Sequence, residues 1–327
     1  LERLVETCGN QVIKEWRRLP GIVSQIHVQY LQAAQMIMEL QEAAQINQGL
    51  QPANLTRTSS VHDMKAIVKT WKNRLPMISD DLSHWSDIFT WRQHHYKFII
   101  DHYESQGPMD SNTNSMLGVH ATAQSIIHFG KIARKHGLVG VSLDTLSRIH
   151  SIASVPVVDC FQKVRQQVKC YMNMTVGGSL QKNEFNEILK RRRQGLEVIE
   201  VTNLKFFSKE MMAELYGMKG YFLQHLNRSE ESNKVFSAAI QLHDTCYMAW
   251  AWWGEYLEAL FTRERNMDHG ESAVICYLHS CRSAVEGHTR KYLAKAIWLL
   301  TYDDENLSIA TAIDKYHLGI QAIHWLP

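Results

Sequence analysis

Tyr216-Gly217-Met218-Lys219-Gly220-Tyr221-Phe222-Leu223 and Trp250-Ala251-Trp252-Trp253-Gly254-Glu255-Tyr256-Leu257 decide the fold. In each, a large aromatic is followed four residues later by glycine and three residues after that by leucine. The second copy stands 34 residues after the first. The downstream halves match in kind: Ser232, Phe236 and Ala239 correspond to Ala273, Tyr277 and Ser280, with seven extra residues taken up near Arg263 to Gly270. A fainter third copy is Ala312, Tyr316 and Gly319. The spacing puts large, Gly and large on one face of a first helix, and small, aromatic and small on one face of a second.

A 34-residue period of this kind is the tetratricopeptide pattern. The glycine lets two antiparallel helices approach, and the aromatic on the second helix fills the space beside it. No single unit buries its apolar face alone, so units must stack. The positions expected to carry this packing are Tyr216, Gly220, Phe236, Ala239, Trp250, Gly254, Ala273 and Tyr277.

Outward from this core the helical period persists. Trp85, Ile88, Phe89, Tyr96, Ile99 and Tyr103 fall on a single helix face, as do Met116, Val119, Ala123, Ile126, Ile127 and Ala133. Ser79 before Asp80-Asp81, and Ser229 before Glu230-Glu231, read as hydroxyl N-caps with first-turn carboxylates. No Val/Ile/Thr-rich alternating run competes as a strand. Loops are expected at about 47–60, 105–115 and 177–182, where Gly, Pro, Asn and Ser collect without apolar periodicity. The expectation is an all-α, tetratricopeptide-like helical-repeat solenoid. It would have helical hairpins over 1–104, helical repeats over 116–176 and tetratricopeptide-like repeats over 183–327, forming one continuous array cut from a longer chain.

The 327 residues include only 6 Pro, which favours long helices. A formal charge of +2 offers no broad field for nucleic acid, so no direct nucleic-acid binding is expected. No apolar run reaches the roughly 20 residues of a membrane span, so no membrane partner is expected. Six cysteines without framework spacing read as free thiols in a reducing compartment.

The search for chemistry yields little. Phosphoryl transfer needs a Gly-rich loop and metal-binding carboxylates, and neither G-x-G-x-x-G nor D-F-G occurs. Of 17 histidines, His94-His95 and His102 share one helix but lack ligand spacing, and Cys276 and Cys281 are too far apart for a structural zinc site. No nucleophile elbow is present. We therefore expect no catalytic residue, no cofactor and no metal. The run Lys190-Arg191-Arg192-Arg193 is the strongest charge feature. It reads as a solvated helix face, with Glu187 at ion-pair spacing from Arg191, or as a phosphate-contacting or localisation patch. Arg191, Arg192 and Arg193 are kept as candidate surface contacts. In the cluster Trp250, Trp252, Trp253 and Tyr256, Trp250 and Trp253 occupy packing positions. Trp252 lies off that stripe and is the candidate for an exposed contact.

Four blocks carry a resemblance: Asp81 through Tyr96, Gly130-Lys131-Ile132-Ala133-Arg134-Lys135, Val158 through Tyr171, and Arg290-Lys291-Tyr292-Leu293-Ala294-Lys295. They resemble the FAT domain of the phosphatidylinositol-3-kinase-related family, and within it the pseudokinase branch. The resemblance implies a non-catalytic nuclear scaffold of histone acetyltransferase coactivator complexes, recruited to chromatin by sequence-specific transcription activators. Its partners would be subunits of those complexes, the activators, and an adjoining kinase-like domain of the same chain. The alternative is a regulatory FAT region clamping an active kinase of that family. The two share a fold, and the resemblance supplies no catalytic residue in this region.

Overall fold

The structure, a computed structural model, describes residues 2–51, 58–105, 111–174, 182–284, 286–301, 303–304 and 307–308. The chain divides into two compact units, Leu1–Gln166 and Gln167–Pro327. The first holds α1 (Glu2–Trp16), α2 (Gln25–Gly49), α3 (Thr58–Asn73), α4 (Leu82–Glu104), α5 (Ser111–Lys135), α6 (Val139–Ser147) and the start of α7 (Val157–Asn173). The second holds the end of α7, then α8 (Lys182–Glu200), α9 (Lys209–His225), α10 (Ser229–Leu242), α11 (Tyr247–Glu264), α12 (Met267–Ser283) and α13 (Glu286–Leu300). Sequence neighbours pack as antiparallel pairs: α1 with α2, α4 with α5, α9 with α10, α11 with α12. The one strand pairing among the described residues sets Asp303–Asp304 against Leu307–Ser308, two residues a side.

In the first unit the apolar stripes become the core. All six residues of the Trp85–Tyr103 stripe are buried. Tyr96, Ile99 and Tyr103 join Ala43, Ile46, Met64, Val68 and Trp71 in one cluster fed by α2, α3, α4 and α5. Ile126 and Ile127 pack on Leu146 and Ile149 in a second cluster. At about 25 cal/mol per Å² of apolar surface, several large side chains per helix are needed to hold each pair together.

Two hairpins share one construction. In α9–α10, the Ser232 hydroxyl donates to the Gly220 carbonyl at 2.9 Å, and a Cβ on Gly220 would stand 2.6–2.8 Å from the Phe236 ring. In α5–α6, the Ser142 hydroxyl donates to the Gly130 carbonyl at 2.7 Å, and a Cβ on Gly130 would stand 3.0 Å from Leu146. Both first helices stop at a residue with positive φ, Asn227 at 60° and Gly137 at 78°. At each stop the next residue's N–H reaches back to a helix carbonyl, Arg228 to Leu223 at 3.0 Å and Leu138 to Ala133 at 2.9 Å. The glycine, the stop, the serine and the large residue keep identical spacing in the two hairpins, so 130–146 is a further copy of the 220–236 pattern.

The extra residues of the 250–280 copy form no loop. α11 runs ten residues beyond Gly254, whereas α9 runs five beyond Gly220. α12 begins six residues before Ala273, whereas α10 begins three before Ser232. The insertion is absorbed as helix, and Arg265 closes α11 in the left-handed region at φ 54°.

The caps differ from the expectation. Asp81, and not Ser79, caps α4 by accepting the Ser83 N–H at 2.9 Å, while Asp80 accepts the indole N–H of Trp85 at 3.1 Å. Asp81 is two residues closer to the first helical turn than Ser79, which brings its carboxylate within reach of the orphan amides. Ser229 is the first residue of α10, with Arg228 in the cap position. The third copy, Ala312, Tyr316 and Gly319, lies outside the described residues.

Candidate functional site

A buried polar knot ties α2, α3 and α4. Arg92 and Glu39 are each 1% exposed, and the guanidinium donates Nε to Glu39 Oε2 at 2.8 Å and Nη2 to Oε1 at 2.5 Å. Its Nη1 donates to the carbonyls of Trp71 and Arg74, at 2.8 and 3.0 Å, at the C-terminal end of α3. Those carbonyls have no helical donor of their own, and a cation suits that end of the dipole. The rings of Trp71, Trp85 and Phe89 surround the guanidinium at 5.6–5.7 Å. Arg74 extends the knot, pairing with both oxygens of Glu42 at 2.9–3.0 Å. This knot was missed in the sequence, although its signal is there. Arg92 stands at offset 7 of the Trp85 stripe, where only a buried residue fits.

A second polar set joins α3, α5 and α7. Asp159, fully buried, accepts from His120 Nδ1 at 2.5 Å and from the Gln124 amide. With Nδ1 carrying the proton, His120 Nε2 accepts from the Lys72 ammonium at 2.8 Å. Two turns on from His120, burial pushes His128 down to about 4, helped by Lys131 and Lys72. Burial also lowers His95, whose two ring nitrogens have no partner, and His225 in the second unit. An unfolded histidine titrates near 6.5. Between that value and the folded one, the unfolded chain takes up protons that the folded chain declines. Stability is therefore complete above about pH 6.5 and is lost as the pH falls toward 4. We expect thermal melting to drop between pH 7.5 and pH 5, with His128→Asn removing roughly 1–3 kcal/mol of that pH dependence. A melting curve independent of pH over this range would contradict it.

In the second unit the repeat residues occupy equivalent places. Phe236, Ala239, Ala273 and Tyr277 are fully buried, and Tyr216 and Trp250 are half-buried. A Cβ on Gly254 would stand 2.7–2.8 Å from the Tyr277 ring. The Tyr277 hydroxyl donates to Glu258, which also accepts from Lys295 at 2.7 Å. Trp252 must be corrected. It is 5% exposed and packs against Gly217 of α9, where a Cβ would come within 3.2 Å of its ring. The first helix of one repeat rests on the first helix of the next, and that second contact face covers Trp252. Trp253 and Trp250 are the ones that reach the rim, with indole N–H groups donating to Asn233 Oδ1 at 2.9 Å and to the Asp244 carbonyl at 2.6 Å.

The basic run is divided by its helix. Arg191 pairs with Glu187 at 3.1 Å, one turn back, and Lys190 and Arg193 are exposed. Arg192 turns inward and donates to the His225 carbonyl, the last of α9, at 3.0 Å. It does for α9 what Arg92 does for α3.

The α9 and α11 surfaces bound an open groove of about 370 Å³. Tyr221 and Gln224 of α9 line one side, and Glu255, Tyr256, Ala259 and Arg263 of α11 the other. The Gln224 Oε1 is buried without a partner. Tyr221 leans on the His225 ring at 4.3 Å, and His225 Nδ1 donates to the Tyr221 carbonyl at 2.7 Å. Among the described residues no group of three or more His, Cys, Asp or Glu could hold a metal ion, and no helix is long and apolar enough to cross a membrane.

The FAT domain model matches residues 1–298. This chain belongs to the FAT-domain family. Among its relatives, the transformation/transcription domain-associated protein of Mus musculus is 59% identical over all 327 residues, and that of Danio rerio is 60% identical. The SAGA complex/NuA4 acetyltransferase complex subunit TRA1 of Saccharomyces cerevisiae is 31% identical over 95% of the chain. The chain spans 12% of the mouse relative and 8% of the other two. FAT membership agrees with the paired helices on which the sequence reading rested.

Proposed function

We propose that this chain is a non-catalytic scaffold segment of a nuclear histone acetyltransferase coactivator complex, engaged by sequence-specific transcription activators. The observation that carries the reading is identity of 57–60% along the whole chain to transformation/transcription domain-associated proteins of three vertebrates. A more distant relative, 33% identical, is the SAGA complex/NuA4 acetyltransferase complex subunit Tra1 of Schizosaccharomyces pombe. The helices support it in kind. Paired helices expose long faces built from many small units, and polar knots such as Arg92–Glu39 tie neighbouring helices together. An adjoining kinase-like domain of the same chain would be a pseudokinase, and the partners are proteins rather than nucleic acid.

The test is affinity purification of the full-length protein with mass spectrometry, and a kinase assay on the eluate. Acetyltransferase subunits without intrinsic phosphoryl transfer are expected. An active kinase without those subunits would move the chain to the regulatory FAT region of an active family member.

A further inference from the structure

We propose that the groove between α9 and α11 receives a short extended peptide of a partner protein, one that carries a basic and an acidic side chain four residues apart. This deepens the scaffold reading and rests on it. Glu255, Ala259 and Arg263 form one stripe of α11, each one turn from the next, and all three line the groove. At 1.5 Å rise per residue, Glu255 and Arg263 stand about 12 Å apart along the axis. An extended chain rises about 3.3 Å per residue, so side chains four positions apart span that distance. The two charges have opposite sign, which fixes both the composition and the direction of the peptide.

Neither charge is locked. Arg263 is 64% exposed, and its partner is the adjacent Glu264, an exposed pair of little worth. Glu255 pairs with Lys291 at 3.0 Å and more distantly with Lys295 at 3.9 Å; Lys291 is itself 54% exposed and can yield its place to an incoming cation. Between the ends, Ala259 is an exposed small residue that leaves room for a backbone. Tyr221 and Tyr256 flank that space, and the Tyr256 hydroxyl is tied to the Ser229 carbonyl at 3.1 Å, which fixes the ring. Gln224 supplies the remaining group. Its amide oxygen is buried without a donor, and a side-chain amide can give and take one hydrogen bond with a single peptide unit. A buried acceptor without a partner is uncommon enough in folded proteins to require a reason, and a peptide N–H is one.

The probes are two fluorescein-labelled peptides, Lys-Ala-Ala-Ala-Asp and Asp-Ala-Ala-Ala-Lys, each flanked by glycines, titrated by anisotropy against the full-length protein. One order is expected to bind at least tenfold more tightly than the other. The double variant Glu255→Arg, Arg263→Glu is expected to invert that preference, and Ala259→Arg to abolish binding of both. Gln224→Ala is expected to weaken the preferred peptide about tenfold. Equal binding of the two orders, or a preference that survives the charge swap, overturns the proposal. Co-purification of acetyltransferase subunits is measured on the same swapped variant. If the subunits remain while the peptide preference is absent, the groove assignment fails alone. If no such subunits are found with the parent protein, the scaffold reading fails whatever the peptides do.

Discussion

Arg92→Leu is expected to lower the stability of the first unit by about 3–5 kcal/mol, the usual cost of breaking a buried ion pair from one side. The side chain has three duties, and leucine performs none of them. It neutralises Glu39, which is 1% exposed. It satisfies the Trp71 and Arg74 carbonyls at the end of α3. It also fills the space among Trp71, Trp85 and Phe89. After the change Glu39 keeps only Arg74, at 3.3 Å, and the amide of Gln35. The double variant Arg92→Leu, Glu39→Met distinguishes lost charge pairing from lost packing. It should recover about half or more of the loss, because replacing both charges with apolar groups removes the stranded carboxylate. Chemical denaturation followed by circular dichroism reads both. A double variant no more stable than the single one would mean that the carbonyl contacts, and not the carboxylate, dominate.

Gly254→Trp is the second large effect, this time in the α11–α12 pair. Any Cβ at 254 meets the Tyr277 ring at 2.7–2.8 Å and Cys276 Cβ at 3.3 Å. Tyr277 cannot swing aside easily, since it is fully buried, stacked on Tyr292 at 5.7 Å and bonded to Glu258. Alanine should already cost about 1–3 kcal/mol, and tryptophan more, enough to part the two helices. Trimming the ring should relieve the smaller clash, so Gly254→Ala with Tyr277→Leu is expected to be more stable than Gly254→Ala alone. Thermal melting indistinguishable from the parent in Gly254→Trp would refute the close approach.

These two sites mark what a sequence does and does not reveal. Gly254 was legible because its repeat partner Gly220 recurs at a fixed period, and steric need repeats when the packing repeats. The helix stripes were legible for the same reason, since Trp85 through Tyr103 must all face one core. Arg92 was passed over because its partner Glu39 is 53 positions away, and no local pattern links them. Asp159 was hidden likewise, paired with His120 across 39 positions. The 130–146 hairpin escaped because leucine replaces the aromatic, although glycine and serine keep their spacing. Trp252 misled because a helix in a stack has two buried faces, one toward its own partner and one toward the next repeat. A single apolar stripe describes only the first. The α9–α11 groove depends on which faces meet across repeats, so it was not readable in advance.

The lengthened α11–α12 pair has a consequence for specificity. Had α11 stopped where α9 does relative to its glycine, it would have ended at Ala259, and neither Leu260 nor Arg263 would border the groove. The seven added residues therefore act as a ruler. Growth at the tip of a hairpin leaves the glycine–tyrosine joint untouched, because that joint lies more than two helical turns from the end of α11. An array of this kind can lengthen one tooth at a time and gain a new reading position without refolding anything beneath it.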